Sequence, residues 1–348
     1  MKEALFWKKL DGKKVQCQLC NQYCLISDGG RGLCGVRENH DGTLYTLVYG
    51  KVIAEHIDPI EKKPLFHFLP GTTSYSIATV GCNLRCSFCQ NADISQASLT
   101  SLPLPEGEVR RGWEQRIPGE DRTPEQIVRE ALHNDCASIA YTYTEPTIFA
   151  EFALDVMKLA REQGLKNVWV SNGYTTKEAL ETVAPYLEAA NIDLKFFNDE
   201  TYWRICGCHL APILETLKLY KKLKIWLEIT TLIIPGQNDD EKQLTDIAEF
   251  IVKELGVNTP WHISRFFPTY KMNAVSPTPE ATIKQAYEIG KKAGLKYIYA
   301  GNTLSDGMEN TYCPKCGQVV IKRFGYDIER LDDKGKCKNC GTKIDLVE

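Results

Sequence analysis

Seven short runs rich in β-branched and aromatic residues recur between about residues 74 and 302: SYSIATV, SIAYTY, KNVWVS, NIDLK, IWLEITT, WHISRF and KYIYA. Their length and composition suit strands buried on both faces, which is the habit of parallel sheets. Amphipathic stretches separate them and open with helix-start signals. Thr123 precedes Pro124 with Gln126 three residues on, Thr175 is followed by Glu178, and Thr278 precedes Pro279. Parallel strands joined by helical crossovers of one hand wind into a barrel or part of one. The predicted fold is α/β, a partial (β/α)6-type TIM barrel over residues 70–305, with its chemistry at the C-terminal ends of the strands. An N-terminal Cys-rich module and linker precede it at 1–69, and a small zinc ribbon follows at 306–348. Between about Ala97 and Arg122 a Pro- and Gly-rich stretch interrupts the rhythm and predicts a lid, a partner-binding element or a plain surface excursion.

The chain has 348 residues and 14 cysteines. The cysteines fall into clusters at 17–34, 82–89 and 313–340, with Cys136, Cys206 and Cys208 apart. No signal-peptide core and no long apolar run is evident, so the expected location is cytoplasmic, with no membrane role. There, cysteines in C-x2-C pairs point to metal rather than disulfides. The net charge of −3 is spread along the chain, so nucleic-acid binding is unsupported.

GCNLRCSFCQN follows the first strand and spaces Cys82, Cys86 and Cys89 as C-x3-C-x2-C. Three thiolates ligate three corners of a [4Fe-4S] cubane and leave the fourth iron open. Structural zinc prefers four ligands and fits this spacing poorly. The other strand ends are also polar. Ser171, Asn172 and Gly173 close the third strand and suit a ribose or carboxylate contact, or a plain turn. Asp193 and Lys195 lie two apart and share a face, as ligand contacts or as a buried ion pair. His262 and Ser264 repeat that spacing on the sixth strand, where the histidine is either functional or structural.

With these marks, residues 70–302 resemble the pyruvate formate-lyase activating enzyme branch of the radical S-adenosylmethionine (SAM) superfamily. The segments CQLCNQYC, GLCGVREN, DPIEKKPLFHFLPG, SIATVGCNLRCSFCQN and YTYTEPTIF are more specifically similar to the radical SAM component of the AmmeMemoRadiSam system. The resemblance implies that SAM chelates the open iron and is cleaved reductively to a 5'-deoxyadenosyl radical, which abstracts hydrogen from an unidentified substrate. It places Phe88 near the adenine, with a core aromatic as the alternative. It places Glu145 at the SAM amine, although Tyr143 and Thr144 stand where related enzymes carry two glycines. With Ser171, Asn172, Asp193, Lys195 and His262 these form the expected SAM cradle; no catalytic residue is assigned. It further implies AMMECR-type and Memo-like partner proteins and a flavodoxin- or ferredoxin-type electron donor.

Cys313, Cys316, Cys337 and Cys340 form two C-x2-C knuckles that predict a zinc ribbon, with rubredoxin-like iron as the alternative. Cys17, Cys20, Cys24 and Cys34 also offer four thiolates, for zinc or a second, saturated Fe-S cluster. Cys136, Cys206 and Cys208 are expected to be buried small hydrophobes, with a hydrogen-donating or redox thiol at Cys206 or Cys208 as the alternative. The link IDPIEKKPLFHFLP has no period and is expected to be a solvated connector, although Asp58, Glu61, Lys62, Lys63 and His67 could line a substrate mouth. The leading function is a radical SAM oxidoreductase or modifying enzyme. The alternatives are an activating enzyme for a glycyl-radical protein, against which Val170 stands where such enzymes carry an acid, and a non-enzymatic metal-binding adaptor.

Overall fold

A computed structural model describes residues 1–96, 117–303 and 307–348. At its centre, eight strands neighbour one another in chain order: β1 (Ala54–Pro59), β2 (Thr73–Ala78), β3 (Ser138–Tyr141), β4 (Lys166–Ser171), β5 (Ala189–Asp193), β6 (Trp226–Ile233), β7 (Trp261–Arg265) and β8 (Ile298–Gly301). Strands β2 to β8 are parallel and β1 runs antiparallel along β2. All seven apolar runs are these parallel strands. Among the described residues β1 and β8 do not pair, so the sheet is a partial barrel, and a seventh parallel strand extends the expected sixfold core. Residues 54–59, grouped by sequence with the N-terminal module, form its antiparallel edge.

Among the described residues, a single turn at Ala92–Ser95 and seven longer helices accompany the strands: α1 (Pro124–His133), α2 (Ala150–Glu162), α3 (Lys177–Val183), α4 (Asp199–Cys206), α5 (Leu210–Lys222), α6 (Glu241–Phe250) and α7 (Glu280–Ala293). The capping box of α1 forms as its sequence dictates: Gln126 N donates to Thr123 Oγ1 at 3.3 Å and Thr123 N to Gln126 Oε1 at 2.8 Å. Helix α3 begins one residue later than expected, because Thr176 rather than Thr175 caps it. Thr278 caps nothing. Its hydroxyl donates to Ile233 O at 2.6 Å and accepts from Phe266 N at 3.1 Å, tying β6 to β7.

Strand alternation sorts the core. Ile139, Tyr141, Trp169, Ala190 and Ile192 pack under the helices, whereas Ala140, Val168 and Ala189 face the barrel interior. Those small side chains leave room that Ile60, Leu65 and Phe68 fill. The link segment is therefore a plug, not a solvated connector: Asp58, Glu61, Lys63 and His67 are all buried. Charges survive burial best when paired, as Asp58 and Lys63 are, whereas Glu61 accepts from Gly71 N at 2.9 Å and burial raises its carboxyl. Asp58 accepts from Lys62 Nζ at 2.7 Å, from Lys63 Nζ at 2.5 Å and from the Tyr143 hydroxyl. Burial brings Lys63 down to about 8 despite its bond to Asp58. Glu228, fully buried on β6, accepts from the backbone N–H groups of Phe66 at 3.0 Å and His67 at 2.9 Å.

The C-terminal residues close over this plug. Strands at Thr311–Tyr312, Val319–Phe324 and Asp327–Arg330 form an antiparallel sheet, and Cys313, Val320, Ile321 and Cys337 pack on Phe66, Tyr297 and Tyr299. Arg323 donates to Phe66 O at 2.8 Å, with its guanidinium 4.2 Å above the Phe66 ring. Val347 lies beside Phe68 as a bridge and accepts from Leu69 N at 2.7 Å.

His67 sits at this junction with Nδ1 2.7 Å from Asp345 O, which can only accept. Its Nδ1 therefore carries the proton, and Nε2 accepts from the Tyr299 hydroxyl. Burial pushes the imidazole down to about 4. The unfolded chain, with a histidine near 6.5, binds the proton first, so stability is expected to fall as pH drops from about 6.5 to about 4. Urea midpoints across that window should show the loss, and His67→Gln should flatten it.

The N-terminal module packs Val15, Leu19, Ile26 and Leu44 against Ala150 of α2 and Ala179 of α3. These helices leave the C-terminal ends of β3 and β4, so the module lies over that end of the barrel. The Pro- and Gly-rich stretch falls outside the described residues up to 116; beyond it, Glu120–Asp121 pairs with Lys51–Val52. No helix among the described residues is long and apolar enough to cross a membrane.

Candidate functional site

The loop that leaves β2 begins at Gly81, whose φ of +98° suits glycine. A Cβ there would meet Cys34 O and Val36 Cγ1 at 2.8 Å, so the loop can lie against the N-terminal module only without a side chain. Cys82 and Cys86 are buried and Cys89 is half-buried. The loop is pinned from below: Arg85 N donates to Cys206 O at 2.8 Å and Ser87 N to Ile205 O at 3.0 Å, both at the C-terminal end of α4. These bonds use carbonyls that a helix end leaves unpaired.

The sulfurs divide by what points at them. Cys82 accepts from the Leu84 amide at 3.4 Å and Cys89 from the Asn91 amide. Amides also reach Cys17, Cys20, Cys24 and Cys34, from Leu19, Gln22, Leu33 and Val36 respectively. Burial raises the Cys17, Cys20, Cys34, Cys82 and Cys89 thiols overall, and these donors oppose that shift. Cys136, Cys206 and Cys208 are buried, and burial raises each thiol with no backbone amide to oppose it. All three are buried, as their isolation in sequence suggested, and Cys206 touches the Cys86 thiol.

Glu145 leaves the end of β3 fully buried. Its Oε1 accepts from Thr147 N at 3.0 Å, Thr147 Oγ1 at 2.6 Å and Ser171 Oγ at 2.8 Å, while Oε2 accepts only Asn172 N at 2.9 Å. Burial raises its carboxyl, and the bonds from Asn172, Thr147 and Ser171 oppose the shift. Asn172 then reaches the cysteine loop, its Nδ2 lying 2.8 Å from Asn83 Oδ1 and 3.9 Å from Cys82 Sγ. One hydrogen-bonded chain thus joins the ends of β3 and β4 to the first cysteine. On the other side, Phe88 packs edge-on against Phe196 with centroids 6.0 Å apart. Lys195 Nζ stands 5.6 Å from the Phe88 ring centroid and 2.7 Å from Asp193 Oδ2.

The structure therefore gathers Phe88, Glu145, Ser171, Asn172, Asp193 and Lys195 around the cysteine loop, but it engages His262 elsewhere. Its Nε2 lies 2.7 Å from Glu228 Oε2, and the ring stacks on Tyr299 and meets Phe66 edge-on. That is the plugged part of the interior. Asn83 was missed by sequence reasoning. It is fully buried beside Cys82, and its Nδ2 has no partner among the described residues. The only signal available was its place immediately after Cys82.

These residues fit a [4Fe-4S] cluster with SAM. The cysteine loop offers three thiols, Asn83 Nδ2 is an unspent buried donor, and Glu145 Oε2 keeps acceptor capacity for an ammonium group. The C-terminal cysteines form a different kind of site. Cys313 and Cys340 thiols lie 3.6 Å apart, as do Cys316 and Cys337, and all four lie within 4.8 Å of one another. Metal–sulfur bonds of about 2.3 Å in a tetrahedron give sulfur separations of roughly 3.8 Å, so this four-cysteine site fits a single ion. A cavity of about 590 Å³ lies between α7, β8 and the C-terminal sheet and shares no residue with either the cysteine loop or Glu145.

Comparison with known proteins agrees with this geometry. The family model described as the radical SAM superfamily matches residues 76–248. An uncharacterized protein of Methanocaldococcus jannaschii is 47% identical over the whole of both chains. The pyruvate formate-lyase 1-activating enzyme of Escherichia coli is 21% identical, covering 63% of this chain and 89% of its own. The pyruvate formate-lyase-activating enzyme of Clostridium pasteurianum is 23% identical, over 49% of this chain and 66% of its own.

Proposed function

Because the chain belongs to the radical SAM superfamily, we propose that it holds a [4Fe-4S] cluster on Cys82, Cys86 and Cys89 and uses SAM to remove a hydrogen atom from an unidentified substrate. The observation that carries the reading is the hydrogen-bonded chain from Cys82 through Asn83 and Asn172 to Glu145. When bound, the cluster and SAM would supply a reducing electron and a 5'-deoxyadenosyl radical. The protein's part is to bind and orient. Glu145 Oε2 would accept from the SAM amine, and Ser171 and Thr147 hold that carboxylate in place through Oε1. Phe88 offers an apolar face beside the loop, and Asp193 neutralises Lys195 so that no lone charge is buried there. Zinc is the proposed ion of the C-terminal four-cysteine site.

Anaerobically reconstituted protein with dithionite should convert SAM to 5'-deoxyadenosine and methionine; a sample with a full cluster that yields neither overturns the reading. Activating enzymes among the relatives favour a second reading, in which the target is a glycine of a partner protein. Val170, which precedes Ser171 without a carboxylate, weighs against it. A glycyl-radical EPR signal in a co-incubated partner would restore it. Membership of the AmmeMemoRadiSam system, with AMMECR-type and Memo-like partners and a flavodoxin- or ferredoxin-type donor, is part of the same proposal and rests on the N-terminal segments.

A further inference from the structure

Resting on that reading of the central cluster, we propose that Cys17, Cys20, Cys24 and Cys34 hold a second [4Fe-4S] cluster, rather than zinc, and that it passes electrons to the cluster on Cys82, Cys86 and Cys89. All four cysteines line one narrow cavity together with Arg37, Asn83 and Ile148. Their spread decides the size of the occupant. The C-terminal thiols converge within 4.8 Å, as ligands of a single ion do, and among the described residues they alone do so. The N-terminal four line a common space but do not lie within that distance of one another, and neither do the central three, for which the superfamily implies a cubane. A cubane separates its ligand sulfurs more widely than a tetrahedral ion does, because each sulfur binds a different iron. Four thiolates saturate such a cluster, so it would carry electrons and bind no SAM.

The surroundings suit an anionic cluster. Each of the four sulfurs receives one backbone amide, as noted above. Arg37 is 1% exposed and lines the cavity; its Nη1 is 2.8 Å from Glu151 Oε1, but its Nε has no partner among the described residues and remains a buried donor. Donors and positive charge of this kind raise the potential of a cluster and so help it accept an electron.

Asn83 gives the cavity its direction. It forms part of the cavity wall, is bonded to Cys82 in the chain, and meets Asn172 beside the Cys82 thiol. Gln22, from the N-terminal set, donates to Asn83 O at 2.9 Å, and Gly81 lies against Cys34 O. One residue thus separates the two cysteine sets. At the outer side, Cys24 is half-buried and flanked by exposed Tyr23 and Leu25. One electron from a low-potential flavodoxin- or ferredoxin-type donor would reduce the N-terminal cluster, and the same electron would then reduce the central one. The first returns to its oxidised state, and no atom is transferred.

Metal analysis of the full chain, reconstituted anaerobically with iron, sulfide and zinc, tests the assignment. About eight irons and one zinc per chain are expected, whereas about four irons with two zincs, or with one, overturns it. The combined Cys82→Ala, Cys86→Ala and Cys89→Ala chain should keep about four irons and a reduced-cluster EPR signal that SAM does not perturb. Loss of all iron from that chain, with its zinc retained, also overturns the proposal. The central reading fails differently, when no EPR signal of the wild-type chain responds to SAM. For the relay, the Cys20→Ala chain should lose the SAM-sensitive signal under a flavodoxin-type donor and keep it under dithionite. A signal of wild-type size from that chain under the protein donor would refute the transfer.

Discussion

Replacing Cys82 by alanine is expected to bring 5'-deoxyadenosine formation down to the level of a protein-free control. A cubane held at two corners loses the anchored position that the open iron requires, and the hydrogen-bonded chain through Asn172 loses its end point at the sulfur. The substitution is small and the loop keeps its backbone anchors on α4, so the fold should survive, as far-UV circular dichroism would confirm. Cys208→Ala is the matching control. That side chain is also buried, but no amide addresses its sulfur. It should cost only the packing of one small hydrophobe and leave SAM cleavage measurable. If the Cys82→Ala chain still cleaves SAM, the cluster lies elsewhere and the assignment of the cysteine loop is wrong.

Arg37→Ala is expected to destabilise the chain by about 3–5 kcal/mol, because it strands Glu151 in a site where both side chains are 1% exposed. The Glu151 carboxylate would keep one donor, Leu5 N at 2.8 Å, which is too little for a buried charge. The apolar pair Arg37→Met with Glu151→Leu should recover most of the loss, since replacing both partners removes both desolvation costs. Urea unfolding of the three chains gives the comparison. A single-variant loss under about 1 kcal/mol would mean that water reaches the pair, as it does at surface salt bridges.

Much of this architecture is legible in the chain. Strand runs such as SIAYTY and KYIYA are short and rich in β-branched and aromatic residues, so their element type follows from composition, and Thr123 with Gln126 marks the start of α1 to the residue. The cysteine spacings distinguish the central loop from the C-terminal knuckles without any structure. The plug was illegible for a physical reason. Asp58, Lys62 and Lys63 carry charge, and a charged run usually means solvent. Here Asp58 draws both lysines and the Tyr143 hydroxyl to one carboxylate at the barrel, a pairing that sequence cannot display. His262 escaped for a related reason. Its partner Glu228 lies on the neighbouring strand, and nothing local in WHISRF names it. Asn83 was visible as a letter but not as a wall shared by two cysteine sets.

The bridge between Phe68 and Val347, with Arg323 gripping Phe66, gives synthesis of this chain an order of events. Residues 60–69 leave the ribosome early, yet the contacts that lock them in place come from the last part of the chain. Contacts so distant in sequence form late, because the loop between them must be closed first. The floor of the barrel is therefore completed after its rim. A nascent chain with the cysteine loop already formed would still have an unsealed base, and an ion held, as proposed, by Cys313, Cys316, Cys337 and Cys340 would help to shut it.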